Sequence, residues 1–252
     1  MMSETKLWVT CPKPNPNAKL RLFCFSYAGG SAWVFRPWLN HLPSFIELCP
    51  LELPGRGKRW TEKPFTNLDS LVQTLGTAIL PYLNRPFAFF GHSMGAMISF
   101  ELTRLLSQKY EIEPVHLFVS GCRAPQLRDP NPPIYNLPEP EFIAEIRRLN
   151  GTPDAVLENA ELMELVLPAL RADFEMLETY KYTEASSLNC PIAVFGGLQD
   201  TEVTTEDLQA WQVQTNRAFS LQMFEGDHFF IESMRSFLLT SMIIKLSNQS
   251  FG

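Results

Sequence analysis

One pentapeptide and its flanking sequence constrain the fold of this chain more than any other feature. Residues 91–95 read Gly-His-Ser-Met-Gly, after the apolar run 87–90 and before a segment with helical spacing. This is the G-x-S-x-G pattern in a strand–turn–helix context, where a tight, strained turn favours glycine on both sides of the serine. The pattern predicts that Ser93 stands at the carboxyl end of a strand and that the backbone N–H of Met94 faces an oxyanion forming beside it. The alternative is a glycine-flanked turn serine without a chemical role.

Around this motif, strand-like and helix-like segments alternate along the chain. Apolar runs predict further strands at 20–26, 45–53, 115–120, 190–197 and 219–224. Helical apolar spacing predicts helices at 68–83, 97–110, 205–216 and about 231–246. Such alternation implies an α/β fold with a mostly parallel central sheet and helices on both faces. Because no repeat or second boundary interrupts it, residues 1–252 are expected to form a single domain.

A helical insertion is predicted where this alternation stops. Six prolines between residues 125 and 140 exclude a regular helix or strand there, and helical spacing follows. Pro168 is expected to interrupt the second of these helices. The segment of about 125–185 would lie near the carboxyl edge of the sheet, where insertions form lids over active sites. The alternative is that these helices only extend the core, since helical apolar stripes usually serve packing.

Charge and composition argue against several classes of protein. The formal net charge is −6, so the chain lacks the positive field that nucleic-acid binding needs. The apolar stretch 237–244 is too short to span a membrane, and residues 1–8 hold no signal-peptide core. Five dispersed cysteines suit a reducing compartment, so we expect a cytoplasmic location. Neither His-x-x-x-His nor clustered carboxylates occur, so no metal is expected.

The serine needs a base, because its hydroxyl is a poor nucleophile at neutral pH. The chain has four histidines. His92 adjoins the serine, but the turn is expected to point its side chain away from the site. His116 enters a strand, and His41 precedes one. His228 alone follows a late strand, at the same edge of the sheet as the motif, and is therefore the candidate base.

An imidazole base needs a carboxylate on its other nitrogen. Asp200 follows the preceding strand, and the chain order Ser, Asp, His is the one that α/β hydrolases use. Asp227 adjoins His228, but adjacent side chains on a loop diverge. Asp207 is expected in the first turn of a helix, where its charge suits the helix dipole. Glu202 is a more distant second candidate.

A glycine pair follows the first predicted strand, in residues 27–32 (Tyr-Ala-Gly-Gly-Ser-Ala). Such a pair lets backbone N–H groups approach a ligand closely. The G-x-G-x-x-G spacing of a dinucleotide-binding loop is absent. In an α/β hydrolase this loop supplies the second oxyanion donor, and the alternative is an ordinary glycine turn.

Several motifs together resemble one family over nearly the whole chain. They are 27–32, 53–57 (Leu-Pro-Gly-Arg-Gly), 91–95, 149–153 (Leu-Asn-Gly-Thr-Pro), 167–174 (Leu-Pro-Ala-Leu-Arg-Ala-Asp-Phe) and 226–230 (Gly-Asp-His-Phe-Phe). In these motifs the chain resembles the type II (external, editing) thioesterases that accompany nonribosomal peptide and polyketide synthases. These enzymes are relatives of the medium-chain fatty-acyl thioesterases.

The resemblance implies an α/β-hydrolase fold and hydrolysis of acyl thioesters on the phosphopantetheine arm of acyl or peptidyl carrier proteins. It implies a catalytic triad of Ser93, Asp200 and His228, and an oxyanion hole formed by the backbone N–H groups of Met94 and Ala28. No cofactor is implied, since the substrate carries the phosphopantetheine. Many members of the family have histidine before Ala-Gly-Gly, where this chain has tyrosine. Because the donor there is a backbone amide, we expect the change to alter the pocket wall rather than the chemistry.

Three alternatives remain open at this point. The cations Arg56, Lys58 and Arg59 belong either to a solvated loop or to a site that contacts the phosphate or an acidic carrier helix. The substrate is alternatively a medium-chain fatty-acyl thioester or a carboxylester. The third alternative is a non-catalytic binding protein on the same fold, against which the complete set of serine, aspartate and histidine argues.

Overall fold

A parallel six-stranded sheet forms the centre of the molecule in the computed structural model, which describes residues 8–248. Residues 1–7, where the sequence predicts no signal peptide, lie outside the described residues. The strand order is β2-β1-β3-β4-β5-β6, and each neighbouring pair is parallel. The strands are β1 (Leu20–Phe25), β2 (Ile46–Pro50), β3 (Phe87–His92), β4 (His116–Ser120), β5 (Ile192–Gly197) and β6 (Phe219–Phe224). All residues of β2 to β5 are buried, as apolar runs in a sheet covered on both faces require.

Helices cover both faces of this sheet. They are α1 (Leu68–Ile79), α2 (Met94–Tyr110), α3 (Glu139–Leu149), α4 (Asp154–Leu157), α5 (Ala160–Glu178), α6 (Thr205–Gln209), α7 (Phe230–Ser233) and α8 (Arg235–Ser247). One core cluster joins the sheet to α1 and α2, and a second joins it to α8 and a 3₁₀ segment at Ala32–Asn40. The apolar side chains of α3, α4 and α5 form a third, separate cluster. The α/β architecture predicted from the sequence is therefore present.

Several helix boundaries differ from the predicted ones. Pro168 does not interrupt α5, which runs continuously from Ala160 to Glu178. A proline removes one N–H donor from a helix, and here the two halves of α5 stay aligned because Met163 and Leu170 pack into the same cluster. The predicted last helix is divided into α7 and α8 at Met234, whose φ of −101° and ψ of 19° are not helical.

The described helices also bear on the membrane question. Across residues 8–248, none of them has the length and apolarity that a bilayer crossing requires.

A buried histidine at the start of β4 makes the stability of the fold sensitive to acid. His116 stacks on Phe118 with ring centroids 4.4 Å apart, and within the described chain neither of its ring nitrogens has a hydrogen-bond partner. Burial, and then the charge of Lys245, lowers the pKa of His116 to about 4. The unfolded chain protonates this group near its ordinary pKa of about 6.5, so it binds more protons than the folded chain between these two values. Stability is therefore lost as the pH falls through this window.

We expect the His116→Phe variant to lose less stability in acid than the unsubstituted chain. Phenylalanine keeps the stack on Phe118 and cannot be protonated, so the pH-dependent loss between about pH 8 and about pH 5 should shrink by about 2 kcal/mol. Urea unfolding at both pH values measures this difference. Equal pH-dependent losses in the two proteins would show that His116 is not the group responsible.

Candidate active site

The predicted turn around Ser93 is present at the carboxyl end of β3. Ser93 is the residue that joins β3 to α2, and its φ of 53° and ψ of −117° are strained for a residue with a side chain. Its backbone N–H donates to the carbonyl of Ser120 at the end of β4, over 2.8 Å. Strain of this kind persists only where the surroundings fix it, and it leaves the half-buried serine side chain at the edge of the sheet.

Both glycines of the motif are required by close backbone contacts. A Cβ at Gly91 would lie 2.1 Å from the carbonyl oxygen of Gly95. A Cβ at Gly95 would lie 2.1 Å from the carbonyl oxygen of Phe25, at the end of β1. These contacts allow β1, β3 and α2 to meet tightly beneath the serine. The sequence pattern therefore reflects a steric requirement of the turn.

His228 and Asp200 lie next to each other, on the loops that follow β6 and β5. His228 Nδ1 is 2.8 Å from Asp200 Oδ2, and the Asp200 side chain is 1% exposed. The other oxygen, Oδ1, accepts hydrogen bonds from the backbone N–H groups of Glu202 and Val203, at 2.8 and 3.3 Å. The carboxylate is thus held by its own loop and has one oxygen left for the imidazole.

The ring of His228 lies close to the carboxyl end of β4. A Cβ placed on Gly121, just after β4, would lie 3.4 Å from His228 Cε1, so the ring lies over the strand between β3 and β5. Within residues 8–248, Ser93 Oγ makes no hydrogen bond with His228. Such contacts are often long without substrate and tighten when it binds. The structure thus joins two of the three predicted catalytic residues directly, and the third lies at the same edge of the parallel sheet, after β3.

His92 occupies the space between these elements. It is fully buried, its Nδ1 is 2.9 Å from Ser120 Oγ, and its ring centroid is 5.1 Å from that of His228. Burial lowers the pKa of His92 well below its ordinary value, and a positive charge on His228 lowers it further. The neutral His92 ring therefore packs against the His228 ring. The sequence pattern predicted only that His92 points away from the mouth of the site, and it carries no signal for this packing role.

The other acidic candidates have different partners. Asp227 accepts a hydrogen bond from the backbone N–H of Phe229 at 2.9 Å. Asp207 belongs to the capping box of α6, in the first turn as expected, and pairs with Arg123 at 3.1 Å. Glu202 is 2.7 Å from Arg148 of α3. Of the four carboxylates considered, Asp200 is the one in contact with His228.

Comparison with known proteins identifies the family. The family model described as "Thioesterase domain" matches residues 20–245. The chain belongs to the thioesterase family. It hydrolyses acyl thioesters and has the α/β-hydrolase fold of its structural relatives, as the sequence predicted.

Individual relatives cover almost the whole thioesterase. It is 49% identical over 230 residues to the gramicidin S biosynthesis protein GrsT of Aneurinibacillus migulanus, covering 91% of this chain and 90% of that protein. It is 45% identical over 247 residues to the linear gramicidin dehydrogenase LgrE of Brevibacillus parabrevis, covering 97% and 93%. The structure of the type II thioesterase BorB from the borrelidin biosynthetic cluster superposes with a TM-score of 0.87 at 34% identity, covering 95% and 98%. The predicted resemblance to type II thioesterases is confirmed.

Tyr27, which stands where many members of the family have histidine, forms a wall of the site. The Tyr27 ring is 5.0 Å from that of Phe229 and 5.9 Å from that of His92, measured between centroids. Burial, and then the charge of Glu232, raises the pKa of Tyr27 to about 12. It remains a neutral phenol at physiological pH and so adds no charge beside His228.

Two of the three cations predicted for the loop after β2 are buried, so neither of the two sequence-based interpretations applies to them. Arg56 is 7% exposed and Arg59 is 5% exposed. Arg59 Nη2 pairs with Glu62 at 2.5 Å, and its guanidinium lies 3.8 Å from the centre of the Trp8 ring. Only Lys58 of the three is exposed. Glu62 lies three residues after Arg59, but nothing in the sequence of this loop indicates that the arginines are buried, because charged residues in a loop are solvated in most proteins.

Arg56 pairs with a residue that the sequence analysis did not single out, Asp173 of α5. Asp173 is 1% exposed and lies on the buried face of the helix, with Ala169, Ala172 and Met176. These four residues stand at positions i, i+3, i+4 and i+7 and so share one face of the helix. A carboxylate within such an apolar face indicates a buried cationic partner, since unpaired charges are costly to bury. The sequence of the thioesterase therefore shows that Asp173 needs a buried cation, but it does not show that this cation is Arg56.

Proposed function

We propose that this thioesterase removes acyl groups from the phosphopantetheine arm of acyl or peptidyl carrier domains. In this role it clears stalled or misprimed intermediates from a nonribosomal peptide or polyketide synthase. The proposal is supported by its relatives, one named for gramicidin S biosynthesis and another titled a type II thioesterase from the borrelidin cluster. A cytoplasmic location is part of the proposal, because an odd, dispersed set of five cysteines suits a reducing compartment.

The catalytic assignment is Ser93 as nucleophile, His228 as general base and Asp200 as the carboxylate that orients the base. The observation that carries it is the 2.8 Å contact between His228 Nδ1 and Asp200 Oδ2 beside the strained turn of Ser93. With Nδ1 engaged by the carboxylate, Nε2 is the ring nitrogen available to accept the serine proton. A buried carboxylate also stabilises the imidazolium that forms when it does so.

The reaction proceeds in two half-reactions. Ser93 Oγ attacks the thioester carbonyl carbon while His228 Nε2 takes the hydroxyl proton, and the carbonyl oxygen becomes an oxyanion. The carbon–sulfur bond then breaks, and the thiol leaves with the proton from His228. In the second half, His228 takes a proton from water, the hydroxide attacks the acyl-serine, and the carboxylic acid is released. Ser93 recovers its proton from the imidazolium.

The oxyanion is held by the backbone N–H groups of Met94 and Ala28. Met94 is the first residue of α2, where N–H groups have no partner within the helix. Ala28 lies in the loop that follows β1, the strand next to β3, and the turn of Ser93 follows β3. A donor of this kind is typically worth about 10²–10³ in rate. A thiolate leaves more readily than an amine, so this assistance is sufficient for a thioester.

The segment of about 125–185 acts as a lid in this proposal, inserted into a single α/β-hydrolase domain. Its helices share an apolar cluster of their own, while Met176 of α5 also packs into the cluster that joins the sheet to α1 and α2. Arg148 of α3 is 2.7 Å from Glu202, whose backbone N–H binds Asp200. A Cβ at Gly151 would lie 2.7 Å from the Phe229 ring, beside His228. These contacts support a lid that lies over the loops of the acid and the base.

A substrate panel tests the proposal. We expect short acyl and aminoacyl groups on a carrier protein to give the highest kcat/KM, above the same acyl groups on coenzyme A and above p-nitrophenyl esters. Octanoyl- and decanoyl-carrier proteins serve as matched substrates of a fatty-acyl thioesterase. A higher kcat/KM for those longer chains would favour the fatty-acyl function, and a preference for the free esters would favour a carboxylesterase. A folded sample that reacts neither with these substrates nor with a fluorophosphonate would indicate a non-catalytic binding protein.

A further inference from the structure

A buried carboxylate from the inserted helices is hydrogen-bonded to the loop that carries one proposed oxyanion donor. Asp173 Oδ2 accepts a hydrogen bond from the backbone N–H of Gly29 at 2.7 Å. The same carboxylate accepts hydrogen bonds from both terminal nitrogens of Arg56, each at 2.7 Å. Asp173 and Gly29 are 144 residues apart in the chain, so this contact forms only when α5 is packed against the loop after β1.

The peptide that Asp173 holds is adjacent to the oxyanion donor. The backbone N–H of Gly30 donates to the carbonyl of Tyr27 at 2.9 Å, and Gly29 has a φ of +76°. These two features define a type II turn with Ala28 and Gly29 at its centre. The central peptide of such a turn can rotate, and the alternative turn type reverses the direction of its N–H and carbonyl. That peptide carries the Ala28 carbonyl and the Gly29 N–H, whereas the Ala28 N–H belongs to the preceding peptide. A hydrogen bond to the Gly29 N–H holds the turn in one form and so fixes the backbone of Ala28, from which the neighbouring N–H projects.

The ion pair behind this contact is better explained by positioning than by stability. Burial alone would lower the pKa of Arg56, but the Asp173 carboxylate raises it above its ordinary value, so the guanidinium stays charged. A buried ion pair contributes little net stability, because desolvation offsets most of the attraction. A bidentate guanidinium does, however, hold a carboxylate in one plane. Arg56 thereby aims Asp173 Oδ2 at the loop.

A second buried carboxylate holds the other end of the same loop. Glu52 Oε1 accepts a hydrogen bond from the backbone N–H of Ala32 at 3.1 Å. Arg56 lies between the two carboxylates, and its Nη1 is also 3.4 Å from the carbonyl oxygen of Gly30. The loop is thus held at both ends by side chains that water does not reach, which is unusual for a surface turn.

We propose that Asp173 is a positioning residue for catalysis, which fixes the turn at Ala28 and Gly29 so that the Ala28 N–H, on the preceding peptide, points at the oxyanion. Arg56 acts through Asp173 and does not touch the substrate. This inference rests on the proposed function, because it assumes that Ala28 is an oxyanion donor. It also means that the oxyanion hole is complete only while α5 is packed against the core.

Two double variants separate the hydrogen bond from the ion pair. Arg56→Met with Asp173→Leu removes both charges and leaves the Gly29 N–H without an acceptor, while apolar volume keeps α5 in place. Arg56→Gln with Asp173→Asn also removes both charges but retains a side-chain oxygen for Gly29. We expect the first variant to lose about 10–100-fold in kcat, part of the value of a whole donor, with KM changed little. The second should recover most of that loss.

A transition-state analogue gives a readout that a purely structural role would not move. A trifluoromethyl ketone analogue of the thioester forms an adduct with the catalytic serine that carries an oxyanion. Its inhibition constant should rise in the Met/Leu variant by the same factor as kcat/KM falls, and stay near the original value in the Gln/Asn variant. Equal kcat in all three proteins, or an equal loss in both variants, would overturn the inference.

Two further controls keep the test decisive. If the Met/Leu variant does not fold, replacement of Gly29 by glycolate deletes only its N–H, and kcat should fall by a similar factor. Unchanged kcat in that ester would also overturn the inference. Failure of the catalytic assignment looks different: in that case the trifluoromethyl ketone does not inhibit the unsubstituted thioesterase at all. Failure of the carrier-editing function alone would leave that inhibition in place and would appear in the substrate panel as a preference for longer acyl chains or free esters.

Discussion

Replacement of Ser93 by alanine will abolish thioester hydrolysis, with an expected loss of about 10⁶-fold in kcat. The reason is that no acyl-enzyme can form without the hydroxyl, and the remaining site offers only binding and the oxyanion donors. Steady-state hydrolysis of an acyl-carrier substrate measures kcat, and a fluorophosphonate reports the nucleophile independently because it labels an activated serine. Both signals should disappear together.

The fold of this variant should be intact. Within the described residues, the Ser93 hydroxyl makes no hydrogen bond, so its removal leaves no buried polar group without a partner. Ser107→Ala, on the same helix α2, is a matched control, because it removes a hydroxyl bound to Glu113 away from the site. That control should keep full activity and labelling. Substantial turnover by a folded Ser93→Ala protein would contradict the assignment of the nucleophile.

The Asp200→Asn substitution should lower kcat by about 10⁴-fold while leaving the geometry of the loop unchanged. Asparagine keeps an oxygen for the backbone N–H groups of Glu202 and Val203, which now bind Oδ1. It then turns its NH₂ group toward His228 Nδ1, which forces that nitrogen to become an acceptor. The proton moves to Nε2, so the imidazole can no longer accept the proton of Ser93.

The neighbouring acid provides the control for this prediction. Asp227 is adjacent to the base in sequence, yet its carboxylate caps the Phe229 N–H at 2.9 Å and lies 3.5 Å from Asn150 Nδ2. Asp227→Asn should therefore keep kcat within a few-fold of the original value. Comparison of kcat at saturating acyl-carrier substrate is the measurement. A larger loss in Asp227→Asn than in Asp200→Asn would reverse the roles of the two acids.

The parts of the site that the sequence could predict are those set by short-range requirements. The turn at Ser93 needs glycine at 91 and 95 because a Cβ at either position would overlap a backbone carbonyl. The strand ends that carry Asp200 and His228 could be located because each follows an apolar run, and parallel strands bring their carboxyl ends to one edge. The contact at Gly91 and the apolar runs are local, so a single sequence reveals them. The contact of Gly95 with the distant Phe25 carbonyl shows in the sequence only through the G-x-S-x-G pattern.

The parts that could not be predicted depend on distant partners. Arg56 and Asp173 are 117 residues apart, and nothing near Arg56 indicates that a helix will cover it. His92 was expected to point away from the site, but its packing against His228 arises from the way that β3, β4 and the last loop meet. Pro168 lies within a continuous helix because the surrounding packing outweighs the lost hydrogen bond.

The inserted helices are attached to the core in two unequal ways, and for the proposed lid this inequality predicts where an entrance opens. On the α5 side, separation would break the buried pair of Arg56 and Asp173, and loss of a partner charge in a buried place is costly. On the α3 side, the Arg148–Glu202 pair is half exposed on the arginine, so water replaces it at little cost. We therefore expect the proposed lid to open first at α3 and to pivot about α5, which would let an acyl chain enter while the proposed oxyanion loop stays assembled.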